Sequence, residues 1–412
     1  MKKDIFAKMH ILSDSAKYDV SCSSSGSDHN YKTGQLGAPH SSGICHTFTA
    51  DGRCVSLLKV LLTNYCIYDC AYCINRVSND IPRAAFSPRE LADITINFYK
   101  RNYIEGLFLS SGIIENENHT MELMLKVLKI LRFEHKFNGY IHVKLIPGSD
   151  EDLIKEVVSL ASRVSSNIEL PSENSLKLLA PNKSKEQVLQ PLKYARDISL
   201  ERTNKVIGMS TQMIVGATPE SDHDILRLSS VLYDKALLKR VYYSAYIPVN
   251  DDKKLPALIT RPPLLREHRL YQADWLLRFY NFTYDEIVSD EHPNLDEDID
   301  PKLFWALNNL HLFPVEINRA SKEELIRIPG IGIRGAYKII KARRFKRLGF
   351  EELKKLKISV KKAKYFITCN WKYQKEVAMY SETIKEAIVA PKLQLKQPSL
   401  FDMDYSIYTG EL

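Results

Sequence analysis

The sequence predicts an α/β fold followed by an all-α C-terminal domain. Three observations carry this reading. Between about residues 55 and 250, six short apolar runs alternate with helical patterns, the signature of βαβ units around a parallel sheet. The loop after the first run holds three cysteines, Cys66, Cys70 and Cys73, spaced Cys-x3-Cys-x2-Cys. A basic excess is confined to one late segment: Arg319 to Glu376 carries 18 Lys and Arg against 5 Asp and Glu, a net +13, so the rest of a chain of net charge +8 is −5.

Residues 1–50 read as an irregular N-terminal extension. A short helical pattern (Ile5, Met9, Ile11, Leu12) precedes the Ser-rich stretch Ser21–Ser27 and Gly- and Pro-containing turns. Cys22 or Cys45 in this region is a candidate hydrogen donor or extra ligand, whereas Cys54 and Cys369, among apolar neighbours, read as core.

Residues 51–300 read as the α/β domain. Strands are expected at Ser56–Leu62, Gly106–Ser110, Tyr140–Leu145, Asn167–Leu170, Thr211–Val215 and Arg240–Ile247. Helices are expected at Pro88–Tyr99, Met121–Arg132, Asp150–Ala161, Ser175–Leu179, Lys185–Glu201, Asp222–Tyr233 and Leu264–Phe279. On the last strand Tyr242 and Tyr246 share one face and Tyr243 the other; one facing the barrel mouth is a candidate to stack on a base. The acidic stretch Asp290–Asp300 reads as a linker before residues 301–378, and residues 379–412 read as a tail.

A chain of 412 residues holds more than one domain, and its 44% hydrophobic and 26% charged content is that of a globular protein. No apolar run reaches the roughly 18 residues of a membrane span. Lys8, His10 and Asp14 interrupt any secretory apolar region, so a cytoplasmic protein is expected, with its cysteines reduced and available to a metal site.

Thiolates are soft ligands, and three on one short loop can hold three irons of a [4Fe–4S] cube while the fourth iron stays open. Zinc is the rival, but a structural zinc takes four ligands, usually in two pairs, and no second pair lies nearby. The spacing resembles the signature of the radical SAM superfamily. That resemblance implies a partial (β/α)6 barrel, a [4Fe–4S] cluster on Cys66, Cys70 and Cys73, and S-adenosyl-L-methionine on the open iron. Its reductive cleavage would yield a 5′-deoxyadenosyl radical that abstracts hydrogen, with the electron from a donor such as flavodoxin. It places Tyr72 near the adenine and Ser110, Ser111 and Gly112 where the superfamily often has Gly-Gly-Glu. Glu169, Ser172 and Gln212, at or near strand ends, are candidates for the remaining cofactor contacts. Together with Ala16–Cys22 and the basic C-terminal part, the chain is similar to a branch of DNA modification or repair radical SAM proteins linked to uracil-DNA glycosylase-like partners.

Ser321 and Glu324 form a capping box that starts one helix, Pro329-Gly330 stops it, and a second helix begins near Arg334. This resembles the helix-hairpin-helix module. Gly330 and Gly332 let backbone approach a ligand, and the second helix offers N–H groups to a phosphate. Lys338, Lys341, Arg343 and Arg344, with Arg334, are the candidate DNA contacts, which position without reading sequence. In the tail, Gln397-Pro398-Ser399-Leu400-Phe401 resembles the peptide that docks replication and repair proteins on the sliding clamp; Pro398 departs from that pattern. The expected function is a radical SAM enzyme acting on DNA. The alternatives are a radical SAM enzyme modifying RNA and a non-catalytic iron–sulfur DNA-binding or sensor protein.

Overall fold

A computed structural model describes residues 4–18, 43–48, 53–201, 207–373 and 380–394; Cys22 and Gln397–Phe401 lie outside them. The chain forms two compact units, residues 1–220 with 231–263, and residues 221–230 with 264–412.

In the first unit, α1 (Ile5–Ser15) precedes β1 (Ile44–Phe48) and β2 (Cys54–Leu61). Then follow α2 (Pro88–Lys100), β3 (Gly106–Ser110), α3 (Glu117–Lys129), β4 (Tyr140–Lys144), α4 (Glu151–Leu160) and β5 (Arg163–Ser165). The unit continues with α5 (Glu173–Leu179), α6 (Lys185–Glu201), β6 (Gly208–Val215), the C-terminal part of α7 (Asp222–Ala236), whose residues up to Ser230 fall in the second unit, and β7 (Arg240–Ala245). Strands β1 to β7 lie in one sheet in chain order. From β2 to β7 every neighbouring pair is parallel, giving the six expected strands of a partial (β/α)6 barrel.

Strand β1 is a correction to the irregular N-terminal reading. It pairs antiparallel with β2, Cys45 opposite Leu57, and covers that sheet edge. Its Cys45 packs with Val55, Leu57 and Phe108 in an apolar cluster, while Cys54 is exposed and not core. The fourth parallel strand is also displaced. It is Arg163–Ser165, not Asn167–Leu170, and Glu169 joins the sheet only through a bridge to Met213, at φ 66°.

The helices begin where capping chemistry places them. The Ser87 side chain accepts from the Glu90 amide, and the Glu90 carboxylate accepts from the Ser87 amide, a closed capping box for α2. Asn116 caps α3 and Ser172 caps α5. Tyr243 is fully buried. Tyr242 lies with Arg163 and Arg240, the first residues of β5 and β7, so its ring serves the end of the sheet away from the cysteine loop.

The second unit holds α8 (Leu264–Phe279), α9 (Tyr284–Ile287), α10 (Pro301–Asn308), β8 (Val315–Glu316), α11 (Lys322–Arg327) and α12 (Ile333–Ala342). It ends with α13 (Phe350–Lys355), α14 (Val360–Ala363), β9 (Ile367–Thr368) and α15 (Ser381–Gln394). It is helical except for β8 and β9, a two-residue parallel ladder that the all-α reading did not include. Among the described residues no helix is long and apolar enough to cross a membrane.

Candidate functional site

The cysteine loop leaves the C-terminal end of β2 and is tied down by side chains that sequence patterning did not single out. The Arg83 guanidinium donates to four carbonyls: Asn64 at 2.5 Å, Asn75 at 2.8 Å, Arg76 at 2.6 Å and Asn79 at 2.8 Å. Asn250, buried beyond β7, donates to the carbonyls of Ala71 at 2.7 Å and Cys73 at 3.0 Å, and accepts from Asn79. From the α5 side, the Leu179 carbonyl accepts the Ala71 amide at 2.7 Å. A loop with few regular hydrogen bonds of its own is thus held by partners from both flanks, which satisfies its buried carbonyls.

Ser110, Ser111 and Gly112 run directly under this loop. The Leu62 amide donates to the Ser110 carbonyl, and the Gly112 amide donates to the Thr63 carbonyl, both at 2.8 Å. A Cβ on Gly112 would lie 2.3 Å from the Tyr65 carbonyl oxygen, so only glycine allows this approach. The Ser111 hydroxyl donates to the Gly112 carbonyl.

Cys70 is buried, and Cys66 and Cys73 are partly exposed. Burial, with the nearby charge of Cys70, pushes the Cys73 thiol up to about 12, and burial raises Cys70 as well. Thiolates here therefore call for a positive group to stabilise them. Three soft donors on one loop, mutually coupled in charge, suit an iron–sulfur cube, which spreads them over three irons. Among the described residues no three His, Cys, Asp or Glu side chains close around a single ion.

One cation is already present. Lys183, in the connection between α5 and α6, is largely buried, with its Nζ 3.5 Å from the Tyr72 hydroxyl and 3.4 Å from Glu169 Oε1. Burial alone would lower its pKa; the charges of Cys70 and Glu169 overcome that and raise it. Tyr72, Glu169 and the cysteines therefore converge on an ammonium that no periodicity or motif flagged. Gln212 stands beside them: its carbonyl accepts the Glu169 amide at 3.1 Å, and its side chain accepts from Asn167 at 3.2 Å. The Ser172 hydroxyl is engaged elsewhere, capping α5 and donating to Glu220 at 2.6 Å.

The second unit builds its hairpin from α11, the turn Ile328–Gly332 and α12. Leu325, Ile326, Ile328, Ile331, Ala336 and Ile339 are buried and hold the two helices together. Gly330 sits at φ 87°, and a Cβ there would crowd Ala363 N and Ser359 O at 3.3 Å. Inside the turn lies Lys302, from the first turn of α10. Its buried Nζ donates to the carbonyls of Ile326 at 3.0 Å and Ile331 at 2.7 Å, under the Tyr280 ring at 4.8 Å. Burial lowers its pKa to about 7. The Ile333 amide bonds the Tyr280 hydroxyl, so one N–H at the start of α12 is satisfied within the fold.

Of the candidate DNA contacts, Arg334, Lys338, Lys341 and Arg344 are exposed. Lys338 donates to the Leu356 carbonyl at 3.1 Å. Arg343 turns inward, donating to the carbonyls of Ile317 at 2.9 Å and Ala320 at 2.6 Å.

Residues 60–231 match the family model of the Radical SAM superfamily, and residues 313–363 match that of the helix-hairpin-helix motif. A search of curated proteins found no match. Similar solved structures include the FeFe-hydrogenase maturase HydG from Carboxydothermus hydrogenoformans, 16% identical over 53% of this chain and 49% of that one, with a TM-score of 0.41. Methylornithine synthase (PylB) is 15% identical over 53% and 60%, with a TM-score of 0.41. A radical SAM methyltransferase from Sphaerobacter thermophilus is 14% identical over 56% and 69%, with a TM-score of 0.39. The chain thus spans about half the length of the maturase.

Proposed function

We propose that this radical SAM enzyme acts on DNA, in modification or repair, through a [4Fe–4S] cluster on Cys66, Cys70 and Cys73. The observation that carries the reading is the union, in one chain, of a radical SAM domain with a helix-hairpin-helix motif that overlaps a segment of net charge +13. When bound, the cluster and S-adenosyl-L-methionine supply reductive sulfonium cleavage and hydrogen abstraction, chemistry that belongs to the cofactor.

The chain's own residues would do the rest. Arg83 and Asn250 fix the loop that presents the three thiols. Lys183 offsets negative charge gathered at that loop and holds Glu169 and Tyr72 beside it. Ser110 to Gly112, Glu169 and Gln212 line the adjoining strand ends, where such barrels place their chemistry. The hairpin, with Arg334, Lys338, Lys341 and Arg344, would hold phosphates, and the target base must be unpaired or flipped out to enter a barrel. A low-potential donor such as flavodoxin would supply the electron, and a uracil-DNA glycosylase-like protein would act with it.

The test is anaerobic reconstitution followed by nucleoside mass spectrometry. The protein should carry about four irons and cleave S-adenosylmethionine. Cys70→Ala should lose both. DNA from cells lacking the protein should differ in a modified or damaged nucleoside, with RNA unchanged. Cleavage that survives Cys70→Ala removes the cluster assignment; a change in RNA alone removes DNA as substrate.

A further inference from the structure

Trp371 is held in a conformation that a bulky residue rarely adopts. Asn370 and Trp371 have φ of 54° and 63°, both left-handed. Cys369 and Lys372 close this turn with reciprocal backbone bonds at 3.0 and 3.2 Å, and one carboxylate braces it. Glu316, buried on β8, accepts the Asn370 amide at 3.1 Å, the Trp371 amide at 2.7 Å and the Thr368 hydroxyl at 3.0 Å. Its other partners are the backbone and side-chain nitrogens of Asn318, at 3.1 and 2.9 Å. Yet the indole held this way is not packed: it is 68% exposed. The Arg319 guanidinium lies 5.2 Å from the ring centroid.

The surroundings are basic and aromatic. Arg343 bonds the carbonyls of Ile317 and Ala320, which joins the end of α12 to the residues around Arg319. Asn318 and Asn370 both donate to the Leu348 carbonyl, bringing the segment after α12 to the Trp371 turn. That segment exposes Arg344, Phe345 and Arg347, with Phe345 85% exposed. The apparatus lies at the start of α11 and the end of α12, opposite the turn Ile328–Gly332.

We infer that Trp371 and Arg319 form a stacking platform for one unpaired nucleobase of single-stranded DNA, with Arg344 and Arg347 on the flanking phosphates. This rests on the DNA-acting reading above and adds to it a second contact, specific for strand state. The chemistry favours a nucleobase because an indole face paired with a guanidinium stacks on any base, whereas the net charge of +13 selects a polyanion. A duplex, whose bases are already stacked, gains nothing from the platform.

The experiment compares the full-length protein with Trp371→Asn, Trp371→Tyr and Arg319→Gln. Asparagine tolerates the left-handed backbone, so the turn survives the loss of the ring. Binding is measured to a blunt duplex, to the same duplex with a single-stranded extension, and to the single strand alone, across a salt series. Wild type should prefer the DNAs with unpaired bases. Trp371→Asn should bind those roughly ten-fold more weakly, with duplex affinity and salt slope unchanged, because an uncharged ring releases no counterions. Trp371→Tyr should retain most of the preference, and Arg319→Gln should lose part of it. Equal loss on duplex and single strand, or no loss on either, overturns the platform while leaving DNA binding in place. Failure of wild type to bind any of the three DNAs overturns both readings.

Discussion

Lys302→Met should change how the stability of the second unit depends on pH. Lys302 places a cation in the first turn of α10, where the helix dipole opposes it, and buries it against the carbonyls of Ile326 and Ile331. Burial holds its pKa at about 7, against about 10.4 in an unfolded chain. The folded pKa is the lower one, so between these values the unfolded chain binds more protons and stability rises with pH. Integrating that difference, the wild-type unit should gain about 2 kcal/mol between pH 7 and 9, approaching about 1.4 kcal/mol per pH unit at the steepest. Below pH 7 both states are increasingly protonated and the gain flattens out.

The hairpin survives this titration in wild type, because a neutral amine still has two N–H groups for its two carbonyls. Asp300 and Lys362 face the site and are paired with each other, and the Tyr280 ring covers it. Asp300 has a depressed pKa and stays ionised throughout the window, so it adds no slope. In Lys302→Met the carbonyls lose their donor, costing about 1–3 kcal/mol each, but the pH-dependent gain disappears. The assay is urea unfolding of the full-length protein at pH 6, 7, 8 and 9, followed by tryptophan fluorescence. The three tryptophans, Trp275, Trp305 and Trp371, all lie in the second unit, so the signal reports it selectively. Parallel pH curves for wild type and variant would refute the reasoning.

Other outcomes follow from the same geometry. Lys183→Met should make the reconstituted cluster harder to reduce, with a lower midpoint potential by redox titration, and Lys183→Arg should restore most of it; an unchanged potential would remove Lys183 as a counter-charge. Arg83→Met removes a donor from each of four carbonyls, of which that of Arg76 keeps the Asn79 amide, and should destabilise the cysteine loop by about 3 kcal/mol or more, seen as faster proteolysis between residues 74 and 82. Arg343→Met should cost about 1–3 kcal/mol of hairpin stability. Arg344→Gln should leave stability within about 0.5 kcal/mol and reduce the salt slope of DNA binding by about one. A peptide spanning residues 393–405 should bind the host sliding clamp, and its Leu400→Ala, Phe401→Ala form should not; equal binding would leave that resemblance without a partner.

The parallel core was legible because buried strands are apolar runs and their connecting helices are periodic; α6 and α8 fall at the expected bounds, Lys185–Glu201 and Leu264–Phe279. Strand β1 was not legible, since Ile44–Phe48 includes His46 and Thr47, which break an apolar run, and its pairing partner had already been read as a parallel strand. The fourth strand was misplaced by a different effect. Asn167–Leu170 carries Ile168 and Leu170 in alternation, but Arg163–Ser165 makes the ladder, its arginine lying by the Tyr242 ring and bonded to the side chains of Tyr140 and Tyr242. Long polar side chains that bury their stems are the usual blind spot of binary patterning.

The same blind spot explains which site residues escaped notice. Cysteines announce themselves by spacing, and the hairpin by its glycines and capping box, because covalent or backbone geometry forces those residues into fixed offsets. Lys183, Asn250, Arg83 and Lys302 act instead through carbonyls and charges brought close by folding, at sequence separations no offset encodes. Only Lys302 left a trace in the sequence: a lysine directly after Asp300-Pro301, at the positive end of a helix, opposes the dipole and so requires a compensating partner. Arg343 shows the converse. Its place in a basic run made it a DNA contact by composition, yet it spends its guanidinium on two carbonyls of its own domain. A charge run therefore overstates the phosphate-binding surface by the arginines that the fold itself consumes, and counting free guanidinium groups, not basic residues, sets the salt slope to be expected.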